Sequence, residues 1–124
     1  MIHQTISDQT WAGIRTEFTL PTLAQVRRRL IELVEDPEPI MRELVRVFID
    51  DGTFCPGFQF FPGGHLHPTV TLLFRRAMEL KLPHNYFTVW MATRSRDLAG
   101  ARPVDRLNAA STSLVNALES FYRQ

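Results

Sequence analysis

Hydrophobic positions recur at helical spacing along most of the chain. Trp11, Ile14 and Phe18 share one face by the i, i+3, i+7 rule, which predicts a short helix over 7–18 with Ser7 as N-cap and Pro21 as its stop. A second helix is expected over 23–35. There Leu23, Val26, Leu30, Leu33 and Val34 form the apolar stripe, and Arg27, Arg28 and Arg29 lie mostly off it. Thr22 and Gln25 supply the T-x-x-Q pattern of a capping box. Asp36 followed by Pro37 starts a third helix, buried through Ile40, Leu44, Val47 and Phe48 and ended by Asp51-Gly52.

The helical period lapses at Thr53. Phe54, Cys55, Phe58, Phe60 and Phe61 alternate with Pro56, Gly57, Pro62, Gly63 and Gly64, which predicts an extended segment with a tight glycine turn, drawn as a small hairpin returning through Leu66. Pro68 then opens a helix over 69–82 that faces inward through Val70, Leu73, Phe74, Ala77 and Leu80 and stops at Pro83. A short apolar helix over 85–92 follows, around Tyr86, Phe87, Val89, Trp90 and Met91. Ser95 to Ala101 reads as a loop closed by Gly100, Pro103 opens a short helix through Leu107, and the last helix covers 111–122 with Leu114, Val115, Leu118, Phe121 and Tyr122 as its apolar side. The expected fold is mainly α: one compact domain over 1–124 with about six or seven short helices and a small extended or hairpin segment near 54–67. Residues 1–50 make its N-terminal helical part.

Composition narrows the function classes. Hydrophobic residues are 44% of the chain, enough for one core and inconsistent with disorder. The net charge of +1 gives no electrostatic case for non-specific nucleic-acid binding. Cys55 is the single cysteine, so no internal disulfide forms. The start, Met-Ile-His-Gln, does not resemble a signal peptide, and no stretch approaches the roughly 18 apolar residues of a membrane span. A reducing cytoplasm is the expected setting.

Candidate chemistry is sparse. His65-x-His67 would turn two imidazoles the same way in an extended segment, but zinc needs a third and usually a fourth ligand. Cys55, His84 and His3 stand at no recognised spacing, so two polar residues after a turn is the favoured reading. Cys55 as a nucleophile lacks an activating partner in the sequence, and a buried cysteine beside Phe54 accounts for it. Gly63-Gly64 is followed by no Gly-Lys-Ser/Thr and is not a phosphate loop. Asp50 and Asp51 read as capping or solvated surface. No catalytic residue, metal or cofactor is assigned. Residues 22–50 could hold the two helices of a DNA-binding helix-turn-helix around Asp36-Pro37, with Arg42 and Arg46 on the second helix. Acids at the joint oppose that role, and a DNA-binding regulator is kept as the alternative function.

The second half carries a more specific signal. Pro56-Gly57-Phe58-Gln59-Phe60 is followed by Gly63-Gly64, then by Trp90-Met91-Ala92-Thr93, then by the run from Leu98 through Gly100, Arg102, Pro103 and Asp105 to Leu107. In order and spacing, residues 54–107 resemble the toxin-binding domain of Xre/MbcA/ParS-type antitoxins, and the resemblance extends more loosely to 124. It implies a non-catalytic module that binds and neutralises a cognate protein partner, a toxin, often of the NAD-consuming RES type. Two departures stand out: residues 1–50 lack the family's clear helix-turn-helix, and Arg94-Ser95 replaces the usual Pro-Asn after Thr93. The structural part of the motif is expected in Phe58, Gln59, Phe60, Trp90, Leu98, Gly100, Pro103 and Leu107. Partner binding is expected at Arg102, Asp105, Arg106, Phe121, Tyr122 and Arg123, where two aromatics next to an arginine suit an interface and the terminus is free to enter a partner's cleft. A homodimer is a further arrangement open to such a module.

Overall fold

A computed structural model describes residues 5–124. Three helices come first: α1 (Asp8–Phe18), α2 (Leu23–Leu33) and the short α3 (Glu38–Arg42). An antiparallel hairpin follows, β1 (Val47–Ile49) with β2 (Gly52–Phe54), in the register Val47 to Phe54, Phe48 to Thr53 and Ile49 to Gly52. A 3₁₀ turn (Gly57–Gln59) leads to α4 (Pro68–Glu79) and α5 (His84–Met91). Two more 3₁₀ turns (Arg96–Leu98 and Pro103–Asp105) precede α6 (Ser111–Tyr122).

Local chemistry explains most helix boundaries. The Ser7 hydroxyl accepts the Thr10 N–H at 3.1 Å and caps α1, which buries Trp11 and Ile14. At α2 the capping box is complete: Thr22 Oγ1 accepts from the Gln25 N–H at 3.1 Å, and the Gln25 side chain accepts from the Thr22 N–H at 2.8 Å. Pro68 stands in the first turn of α4, where its missing donor costs nothing, and His67 caps that helix.

The third helix is much shorter than its apolar spacing predicts, which corrects the expectation that it runs through Val47 and Phe48. Residues 45–48 find tertiary partners for the main-chain groups a helix would satisfy internally. The Gln59 side-chain amide accepts from the Val45 N–H at 2.8 Å and donates to the Val45 carbonyl at 2.9 Å. The Arg46 N–H goes to His84 Nδ1, and the Asn85 amide pairs with both the N–H and the carbonyl of Phe48. Val47 enters the ladder, and Phe48, expected inside, is 53% exposed. The strand pairing therefore sits at 47–54. The turn through Leu66 also forms, as an isolated bridge between Phe60 and Leu66 braced by the Phe61 N–H to the His65 carbonyl at 2.8 Å.

Three apolar clusters hold these elements. The largest joins α4, α5 and α6 through Leu73, Phe87, Met91, Leu114 and Leu118, all fully buried, with Trp90 at 2% exposure. Val26, Leu30, Met41, Leu44 and Cys55 pack α2 against α3 and the segment after β2. Trp11, Ile14, Leu20 and Val47 tie α1 to the hairpin. Among the described residues, no helix is long and apolar enough to cross a membrane.

Candidate functional site: a cleft beside a braced loop

The run from Leu98 to Leu107 is built as scaffold. Gly100 has φ +84, a left-handed conformation that a β-carbon disfavours. The loop closes on itself: the Ser95 N–H donates to the Ala101 carbonyl at 2.9 Å and the Gly100 N–H to the Ser95 carbonyl at 2.8 Å. Pro103 is buried, and Leu98 and Leu107 pack against the main core. Arg102 does more than stand beside a carboxylate. Its Nη1 and Nη2 reach the two carboxylate oxygens of Glu17 on α1, each at 2.7 Å, and its Nε and Nη2 reach Asp105 at 2.7 and 3.1 Å. The guanidinium also lies 5.8 Å from the centre of the Phe18 ring. Its hydrogen bonds to Glu17 and then Asp105 raise the Arg102 pKa, and its bonds hold both carboxyls below their ordinary values. Arg102 and Asp105, expected at a partner interface, are thus engaged in fastening α1 to this element.

The aromatic segment is likewise internal. Gln59 is 1% exposed, and besides clamping Val45 its amide donates to the Pro56 carbonyl at 3.0 Å. Phe58 meets Phe18 edge to face at 5.6 Å, and Phe60 packs against the cluster around Leu30 and Cys55.

Next to the braced loop lies a cleft of about 660 Å³. The end of α5 supplies Trp90, the following segment supplies Thr93, Arg94, Ser95, Arg96 and Asp97, and the end of α6 supplies Ala117, Ser120, Phe121 and Gln124. Of the residues expected at the interface, Phe121 lines this cleft. Tyr122 packs partly against the core, and Arg106 and Arg123 are exposed. Sequence reasoning did not select Arg94, Arg96 or Ser120. The usable signal was Arg94-Ser95 standing where the resembled family carries Pro-Asn.

A second concavity of about 440 Å³ runs between α2 and the 60–64 turn. It is apolar, lined by Val26, Leu30, Leu33, Phe60 and Phe61, with Arg29 at its edge.

The remaining candidates are occupied elsewhere or dispersed. Cys55 is fully buried, and burial pushes its thiol up to about 11, so the nucleophilic thiolate is scarce at neutral pH. His67 Nδ1 accepts from the Thr69 N–H at 3.2 Å and His84 Nδ1 from the Arg46 N–H at 3.1 Å. No three His, Cys, Asp or Glu side chains gather as metal ligands among the described residues, and His3 lies outside those residues. The helix-turn-helix considered for 22–50 is not formed, because α3 ends at Arg42. Arg27 pairs with Glu38, and the Arg46 guanidinium turns back to the Met41 carbonyl at 3.0 Å. No family model matches the chain, and no match is found among curated proteins or solved structures.

Proposed function

We propose that this chain is a non-catalytic, antitoxin-like module that binds and neutralises a cognate protein toxin in the cytoplasm, using the face formed by the 93–97 segment and the end of α6. The cleft carries this reading: it opens directly beside the motif run at 98–107, and Phe121 is in its wall. The family motif supplies rigid backing, and the neighbouring surface offers aromatic and arginine side chains, the types enriched in interface hot spots.

The test compares three versions of the chain as bait in its native host: wild type, Phe121→Asp and the exposed Arg123→Glu, each checked for an unchanged melting transition. The reading expects one protein retained by wild type and lost by at least one variant. It also expects that protein to arrest growth when expressed alone and to be relieved by co-expression of this chain. Capture indifferent to both substitutions, or a captured protein without toxicity, overturns it.

A further inference from the structure

We propose that residues 46–53 form a flap that His84 latches against the start of α5, and that a proton on the imidazole Nδ1 releases it.

The latch is a hydrogen bond with a fixed direction. The Arg46 N–H donates to His84 Nδ1 at 3.1 Å. A main-chain N–H can only donate, so the bond exists only while Nδ1 keeps its lone pair and the ring is neutral. A proton there turns the acceptor into a donor and sets two N–H groups against each other. The surroundings offer the charged ring no compensation. His84 is the first residue of α5, where the helix presents its positive end. The charged side chain that acts on it is Arg46, and from β1 and α4 it meets the uncharged rings of Phe48 at 5.8 Å and Phe74 at 4.8 Å. Burial holds the ring below the ordinary imidazole value of 6.5, and the Arg46 charge acts in the same direction. The closed flap thus binds the proton less readily than the open one. Its closure is full above about pH 6.5 and weakens as pH falls through the depressed value.

The anchors on either side define what moves. Before the flap, Gln59 holds both main-chain groups of Val45, at 2.8 and 2.9 Å. After it, Phe54 bridges to Thr22, and the Cys55 N–H donates to the Pro21 carbonyl at 2.8 Å. None of these bonds involves a titrating group. Between the pins, two neighbouring side chains tie the hairpin to α5: His84, and Asn85 through the Phe48 N–H and carbonyl at 2.8 and 2.9 Å. The Asn85 clamp lies at the exposed surface and the His84 bond is partly buried. Val47, fully buried with Trp11 and Ile14, keeps the flap down while His84 is neutral. Phe48, His84 and Phe74 follow one another from the surface inward, at 53% exposure for the first and 6% for the last. Lifting Phe48 therefore uncovers the His84 ring and an edge of the main core. The device is an acid-operated exposure of apolar surface, separate from the cleft beside the 98–107 run.

The full isotope-labelled chain tests it by NMR and amide hydrogen exchange between about pH 7.5 and about pH 5, the range over which an imidazole changes charge. At the upper pH the ring nitrogen shifts should show Nδ1 unprotonated. At the lower pH the Arg46 and Phe48 amides should lose about tenfold in protection, the order expected of one hydrogen bond. The Val45 amide and those of α4 and α6 should keep theirs. His84→Asn retains a side-chain acceptor that does not titrate, so its Arg46 and Phe48 protection should stay level across the range. His67→Asn, which leaves an acceptor at the start of α4, should respond as wild type does. A protonated Nδ1 at the upper pH, unchanged Arg46 and Phe48 protection, a loss shared by α4 and α6, or a response that survives His84→Asn overturns the proposal. If His84→Asn does not fold, the wild-type titration decides. A common midpoint for the Arg46 amide and the His84 ring supports the latch, and separate midpoints overturn it.

Discussion

Gln59 illustrates how one side chain can replace a strand. Fully buried, it serves both main-chain groups of Val45, fourteen residues away, as well as the Pro56 carbonyl. Gln59→Leu keeps the size and removes every partner. Leaving buried main-chain groups unpaired costs about 1–3 kcal/mol each, so urea unfolding should show a loss of roughly 3 kcal/mol. A loss near zero would mean that water replaces the amide. Trp90→Ala should cost about 3–5 kcal/mol, as aromatic truncations in cores do, given its burial among Leu73, Phe74 and Leu98. Trp90→Phe should cost far less, because its unpartnered indole N–H makes no bond to lose. Urea unfolding of the two variants checks this, and a Trp90→Phe loss as large as that of Trp90→Ala would mean that the indole N–H is satisfied through water.

At the scale of elements, the contact between the end of α1 and the turn at Gly57 is the tightest joint. A β-carbon on Gly57 would lie 1.9 Å from the Phe18 carbonyl oxygen, too close for any side chain, and the Gly57 N–H donates to the Thr19 carbonyl at 3.1 Å. Thr19 itself sits at φ 65, ψ 152, where a β-branched residue is strained. The two positions should respond in opposite directions. Gly57→Ala should destabilise by roughly 2 kcal/mol or more through the clash, whereas Thr19→Gly should be neutral or stabilising by up to about 1 kcal/mol. Differential scanning calorimetry of the pair checks both signs, and a stabilised Gly57→Ala would show that the backbone relaxes freely. Helices α1 and α2 were legible because their caps lie within three residues of the apolar stripes they serve, Ser7 with Thr10 and Thr22 with Gln25. The start of α4 was legible because Pro68 marks it; the His67 cap on the Thr69 N–H emerged only in the structure. The third helix was misread because its continuation depended on Gln59, His84 and Asn85, which no window around residues 40–50 contains.

Across the whole molecule, ion pairs and buried imidazoles link distant segments and set its response to acid. Arg102 joins α1 to the C-terminal half across 85 residues of sequence. Exposed pairs contribute little, but this one is bidentate and shared with Asp105, so Arg102→Ala should cost about 1 kcal/mol. Hydrogen exchange should accelerate in α1 before it does in α4 to α6; uniform acceleration would mean that the bridge does not hold α1 separately. Burial holds His84 and His67 below the ordinary imidazole value of 6.5, so the unfolded chain binds more protons than the folded one between the two values. Stability is then full above about pH 6.5 and declines as pH falls through the depressed folded values. A second loss follows below about pH 4.5, where Glu17, Glu43 and Asp105, all lowered by their arginine partners, become protonated. His84→Asn should flatten the upper limb of a melting-temperature profile, and an unchanged profile would assign the loss to other groups.

What the sequence by itself determined is the part of the fold governed by short-range chemistry. The mainly helical class, the helix starts at Ser7, Thr22 and Pro68, and the burial of Trp90 and Leu73 follow from period and capping within a few residues. Helix α4, by contrast, stops at Glu79, short of the end at 82 expected from Pro83, because Lys81 turns to φ 63. The motif residues from Phe58 to Leu107 were equally visible as a pattern. Only the tertiary structure decided what that pattern does. It drew 45–48 out of the helix by supplying side chains from 59, 84 and 85, placed 47–49 in a strand, committed Arg102 to Glu17, and brought Trp90, Arg94, Arg96 and Phe121 around one cleft. The physical reason is range: capping and amphipathic spacing act along the chain, whereas hydrogen-bond partners and cleft walls are contributed by residues that meet only after the helices have packed.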